Sequence, residues 1–138
     1  MPVFTVGYGG RDFTDFVTLL REHGIDVVVD VRRYPRSRVP EYCRENLELK
    51  LPEVGLSYVF LGDLLGGFRP GGYTDYMASD AYRSGIERIV ELAGHQNVVL
   101  MCKEREESGC HRKHIARTLN EKGVGTVPLG SERQQRLL

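Results

Sequence analysis

Cysteine is scarce in this chain: three in 138 residues, at Cys43, Cys102 and Cys110. An odd, sparse count does not make a disulfide framework and suits a reducing compartment. Net charge is missing too, with nineteen basic residues against nineteen acidic. That balance removes global attraction as a reason for non-specific nucleic-acid binding but leaves room for a local basic patch. No apolar run approaches the ~20 residues needed to span a bilayer. The opening MPVFTVGYGG has no basic region ahead of an apolar stretch, so it does not read as a signal peptide. There is no internal repeat, no low-complexity stretch, no C-x-x-C pair and no complete G-x-G-x-x-G. These absences lead us to expect a cytoplasmic protein with no membrane partner, no metal and no cofactor.

What is present points to one α/β domain covering residues 1–138. Hydrophobic residues make up 41% and charged residues 28%, ordinary for a globular protein. At this length folding buries roughly two thirds of the unfolded surface, enough for a core without a staple. VFTVGYG, DVVVDVR, LSYVFL and NVVLMC are short runs rich in residues that suit a pleated, buried surface. VGTVPL is a weaker fifth, because Pro128 limits its pairing. Between them, RDFTDFVTLLREHG repeats apolar residues at offsets of three and four (Phe13, Phe16, Val17, Leu20), with Asp12 as a cap and Gly24 as a stop. SDAYRSGIERIVELAG does the same through Tyr82, Ile86, Ile89, Val90 and Ala93, and CHRKHIARTLNEKG through Ile115, Ala116 and Leu119. Residues 41–52 form a further helical candidate, closed by Pro52. Strands alternating with helices predict a single three-layer domain: a mostly parallel sheet of about five strands, flanked by helices. The connection 62–79 is long enough to be a lid or binding loop.

In such sheets ligands sit beyond the carboxyl ends of the strands, and those ends carry the chain's chemistry. DVRRYPRSR holds Arg32, Arg33, Arg36 and Arg38 with no acid after Asp30. Guanidinium groups match phosphate or carboxylate oxygens in pairs, and Ser37 adds a hydroxyl. The alternative is a solvated basic loop; position in the fold favours anion binding. Asp30, inside an apolar run, needs a partner. The expectation is that it fixes Arg32 or Arg112; a catalytic role is the alternative. GYGG suits a tight turn or a close backbone approach, and Tyr8 either stacks on a ligand ring or fills the edge of the core. LLGGFRPGGY, with Gly66, Gly67 and Arg69, either closes over the site or is a surface connection.

NVVLMCKEREESGCHRKH is the most specific segment. Cys102 ends a strand, Glu104 follows, and Cys110, His111 and Arg112 open a helix. A helix start offers free N–H groups and partial positive charge, which attract anions and favour a thiolate. Cationic side chains placed there oppose the helix dipole unless an anion is bound. Glu104 is a candidate to orient His111 or to move a proton. The alternatives are a simply buried Cys102, helix capping by His111 and Arg112, and a Cys102–Cys110 redox disulfide. His114 reads as a surface residue, and zinc binding has little support.

Three stretches, TVGYGGRDFTDFVTLLREHGIDVVVDVRRYPRSR, LSYVFLGDLLGGFRPGG and LMCKEREESGCHRKHIARTL, occur in one order over nearly the whole chain. They resemble the domain of unknown function 488 family. The resemblance implies a site drawn from Asp30, Val31, Arg32, Pro35, Ser37, Arg38, Leu65, Gly66, Gly67, Cys102, Glu104, Cys110, His111 and Arg112. It brings no established activity. The chain departs from the family pattern at REES, where members have a shorter acidic-aromatic turn. In layout alone the chain is also similar to rhodanese-like domains, but their compact Cys-to-Arg loop and Gly-His-Ile-Pro-Gly-Ala segment are absent.

The expected function is binding of an anionic small molecule or nucleic-acid fragment by Tyr8, Arg32, Arg36, Ser37, Arg38, Gly66, Gly67, Arg69 and Arg112. The expected catalytic groups are Cys102, Glu104, Cys110 and His111, in a thiol-dependent enzyme. The alternative is a non-catalytic nucleotide or nucleic-acid binding module using the same arginines.

Overall fold

A computed structural model describes residues 2–105 and 110–130, so part of the acidic insert after Arg105 lies outside the described residues. Its elements run β1 (Val3–Gly7), α1 (Phe13–Glu22), β2 (Val27–Asp30), a 3-10 turn (Pro40–Tyr42), α2 (Arg44–Glu53), β3 (Ser57–Phe60), α3 (Gly62–Leu65), α4 (Tyr73–Tyr76), α5 (Asp80–Ala93), β4 (Val98–Cys102), α6 (Arg112–Glu121) and β5 (Thr126–Pro128). The sheet order is β3-β2-β4-β1-β5 and every pairing is parallel. The domain is a single three-layer α/β unit.

The alternation of side chains divides the core in two. Val27, Val29, Val98, Leu100 and Cys102 face α5 and α6, packing on Ile86, Ile89, Ile115 and Leu119. Val28, Val99 and Met101 face α1 and α2, packing on Phe16, Leu20, Leu47 and Leu51. Both faces of β2 and β4 are therefore buried, which is why their sequences are apolar without a break. The connections leaving β1 and β2 pass over one face toward β3, whereas the connection leaving β4 passes over the other toward β5. The carboxyl end of β4, between those of β1 and β2, is thus the switch point where such sheets open a crevice.

Several details differ from the sequence reading. The 62–79 connection is not one loop but carries two short helical turns, α3 and α4. Val90, expected on the buried stripe of α5, is exposed. The 41–52 helix begins at Arg44 after the 3-10 turn and runs one residue past Pro52. Asp12 occupies the cap position of α1, but its side chain makes no capping bond. Among the described residues, no helix is long and apolar enough to cross a membrane.

Candidate functional site

The site begins with a buried ion pair. Asp30, the last residue of β2, is fully buried and accepts four hydrogen bonds. Three come from Arg32, through its N (3.0 Å), Nε (2.9 Å) and Nη2 (2.8 Å), and one from the Tyr58 hydroxyl (2.6 Å). A carboxylate with this many donors is compensated for its lost hydration. Arg32 is the partner Asp30 takes, and Arg112 is not. Burial works against the charged guanidinium, but the hydrogen bond and charge of Asp30 outweigh it and raise the Arg32 pKa. The Tyr58 phenol is pushed up as well, by burial first and then by the charge and hydrogen bond of Asp30.

Arg32 also reaches the β1 end, donating from Nη1 to the Tyr8 hydroxyl (3.3 Å) with its guanidinium over the Tyr8 ring. Tyr8 is itself buried, stacked on Tyr42 with ring centroids 4.3 Å apart. It fills the edge of the core and lines the space beyond it. The β1–β4 ladder continues past the strands, through Tyr8 N to Cys102 O (3.0 Å) and Gly9 N to Lys103 O (2.8 Å). Gly7 permits this: a Cβ there would collide with the Glu104 carbonyl.

On the other side of β4, the sulfurs of Cys102 and Cys110 are joined as a disulfide. Cys110 lies two residues ahead of α6, and the Arg112 backbone N–H donates to its Sγ (3.4 Å). His111 Nε2 lies 2.8 Å from the Val31 carbonyl. A carbonyl can only accept, so Nε2 carries the proton, and the lone pair of the neutral ring sits on Nδ1. Nδ1 in turn faces Cys110 Sγ at 3.7 Å. Burial, acting first, and the nearby Arg112 charge hold His111 below its usual pKa against the help of the Val31 bond, which keeps the ring neutral near pH 7.

These residues wall one cavity of about 360 Å³, lined by Tyr8, Arg32, Arg33, Tyr34, Arg36, Gly67, Phe68, Tyr73, Cys102, Lys103, Glu104, Cys110 and His111. A second, more open groove of about 870 Å³ runs from the same Tyr8, Arg36 and Lys103 along Gly9, Gly10, Arg11, Asp12, Ser37, Arg38, Val39 and Tyr42. The four expected catalytic residues thus share one cavity with Tyr8, Arg32, Arg36 and Gly67, while Ser37 and Arg38 belong to the adjoining groove. Ser37 Oγ accepts from Val39 N (3.0 Å) and shapes the loop.

Three expected ligand residues are placed differently. Arg112 is buried and lines neither space; its Nη2 donates to the carbonyls of Glu104 (2.6 Å) and Arg105 (3.4 Å). Arg69 donates to the carbonyls of Gly66 (2.8 Å), Asp63 (2.6 Å) and Gly62 (3.3 Å) and packs over Tyr76, so it braces its own loop. Gly66 lies against the backbone of Arg33, where a Cβ would come within 2.5 Å. Glu104, expected as a partner for His111, lines the cavity, but the His111 ring is held by Val31 instead. Sequence reasoning passed over Lys103 and the rim aromatics Tyr34 and Phe68. The signal for Lys103 was its position just past a strand end, and for the aromatics their place inside Arg- and Gly-rich turns. Among the described residues, no group of three or more His, Cys, Asp or Glu is arranged to hold a metal.

No curated protein and no solved structure matches the chain significantly. The family model described as Domain of unknown function DUF488 matches over residues 12–72 and 68–119. Those residues carry all of the cavity's walls except Tyr8, and with most of its length matched the chain belongs to the DUF488 family.

Proposed function

We propose that the strand-end cavity binds a phosphate-bearing anion and that Cys110, when reduced, is the nucleophile of a thiol-dependent reaction. The observation that carries the reading is the fixed tautomer of His111, whose unprotonated Nδ1 faces Cys110 Sγ at 3.7 Å. In the reduced protein His111 takes the Cys110 proton. The thiolate is then met by the Arg112 N–H and the start of α6. The Cys102–Cys110 disulfide is the resting form of the pair. An external dithiol opens it by exchange, its two thiols becoming a disulfide as Cys102 and Cys110 become thiols, and this frees Cys110 to act. The anion part rests on Arg33, Arg36 and Lys103, which line the cavity and, among the described residues, form no ion pair.

The test is the alkylation rate of Cys110 in the reduced, folded protein, followed across the neutral pH range by mass spectrometry. The expected midpoint lies below the ordinary cysteine value of about 8.5. His111→Gln should move it upward, and Cys102→Ser should leave Cys110 reactive. A Cys110 midpoint near ~8.5 that ignores His111→Gln sinks the thiol mechanism. The second reading, a non-catalytic binding module, then stands if inorganic phosphate still raises the melting temperature and Arg36→Ala removes that effect. It draws on the disulfide, which leaves neither sulfur of the cavity as a free thiol.

A further inference from the structure

We infer that the anion is a single strand of nucleic acid, its sugar–phosphate chain running from the cavity into the adjoining groove and one base resting on the Tyr34–Phe68 rim. The inference rests on the anion-binding reading above and adds a substrate class to it. Three independent features meet here: two adjoining spaces that together form a trough, surplus positive charge and exposed rings.

The cavity and the groove share Tyr8, Arg36 and Lys103, so the two spaces adjoin and an extended ligand that passes over these residues reaches both. A single small ligand fills roughly 300–1,000 Å³, and the groove alone, at about 870 Å³, approaches the upper end before the cavity is added. A mononucleotide leaves most of this trough empty. The protein as a whole is neutral, yet Arg33, Arg36, Arg38 and Lys103 lie along the trough with no ion pair among the described residues. Asp12 and Glu104 are the acids that line it. Arg33 lines the cavity, Arg38 the groove, and Arg36 and Lys103 both, so the charge is spread over the two spaces and is not confined to one of them.

The rim supplies what a bare polyanion does not need. Tyr34 is 61% exposed and Phe68 83% exposed, with ring centroids 5.9 Å apart. Phe68 is the one non-glycine residue at positive φ (60°) among those described, a conformation that bulky side chains avoid. The turn holding it outward is braced by Arg69 through three backbone carbonyls. The Arg33 guanidinium lies near the Tyr34 ring, 5.9 Å from its centroid. Aromatic platforms beside a cationic track are how single strands are held without base-specific readout. A duplex, whose bases are stacked on each other, does not offer a ring to this rim.

The experiment is fluorescence anisotropy with labelled oligothymidylate and oligouridylate roughly 12 nucleotides long, within the ~4–16-nucleotide sites of single-strand binders. AMP and a matched duplex serve as competitors. Binding is expected to weaken with salt, log K against log salt having a slope of about −2.8 for four phosphate contacts. Arg36→Ala with Arg38→Ala should reduce the slope by about 1.4. Tyr34→Ala with Phe68→Ala should weaken binding about ten-fold or more and leave the slope unchanged. Both pairs of substitutions lie in exposed loops, and thermal melting checks that each variant folds. Oligonucleotides binding no more tightly than AMP, or a duplex competing as well as the strand, overturn the strand inference while the anion-binding reading survives. If oligonucleotide, AMP and inorganic phosphate all fail to bind, both fall together.

Discussion

Replacing Asp30 with alanine tests the foundation of the site most directly. Asp30 is wholly buried and Arg32 is 6% exposed, so the substitution strands a guanidinium that meets solvent only at its edge on the cavity. It also removes the acceptor for three Arg32 hydrogen bonds and for the Tyr58 hydroxyl. Breaking a buried pair from one side costs about 3–5 kcal/mol. With a urea m-value of about 2 kcal/mol per molar, the unfolding midpoint should drop by roughly 1.5–2.5 M. For a domain of this size, a melting temperature lower by about 10–20 °C corresponds to the same loss. Replacing both partners by apolar residues of similar volume, Asp30→Leu with Arg32→Met, should restore most of that stability, because the penalty comes from the uncompensated charge and not from the missing attraction. The assay is urea unfolding followed by far-ultraviolet circular dichroism on both variants. A loss below about 1 kcal/mol for Asp30→Ala, or a double variant no more stable than the single, refutes the reasoning.

Tyr58→Phe removes one hydrogen bond to the same carboxylate and should cost about 1.5–3 kcal/mol by the same urea assay. Gly85→Ala places a Cβ 2.6 Å from Leu65 Cγ, where α5 crosses α3, and should destabilise by about 1–3 kcal/mol, read by thermal melting. His111 contributes a pH dependence. Its folded pKa is depressed below the usual 6.5, so the unfolded chain binds the proton more readily. The stability it contributes is complete above about 6.5 and is lost as pH falls from there through the folded value. Urea midpoints measured over that window should fall with acid, and His111→Gln should flatten the fall; an unchanged slope would remove His111 as its source.

The central strands were readable because burial on both faces leaves an unbroken apolar signal, as in VVVD and VVLMC. Three of the helices that pack on them, α1, α5 and α6, were readable from one periodic stripe each, whereas α2, which buries Leu47 and Leu51, carries no such stripe and was marked only by Pro52. The short turns α3 and α4 were not readable, since four residues span barely one period of 3.6 and cannot show it repeating. Placing chemistry at the strand ends brought Cys102, Glu104, Cys110, His111 and Arg32 to one cavity. What sequence could not reveal is where a long side chain points. Arg112 and Arg69 look like ligand-binding cations, yet both turn toward backbone carbonyls. Tyr34 and Phe68 look like ordinary loop residues, and only their shared exposure at the rim marks them out.

The Glu104 carbonyl, pressed against Gly7 and held by Arg112, constrains how this protein can drift in sequence. Its role belongs to the main chain, so residue 104 can change its side chain without disturbing that joint. Position 7 has no such freedom: even one added methyl there displaces the carbonyl, and with it the guanidinium that ties the 104–105 backbone to the first turn of α6. A neutral-looking glycine inside a strand is therefore a steric lock on the backbone beside the cysteine–histidine pair, and an inherited change there would distort the cavity from a position that lines neither the cavity nor the groove.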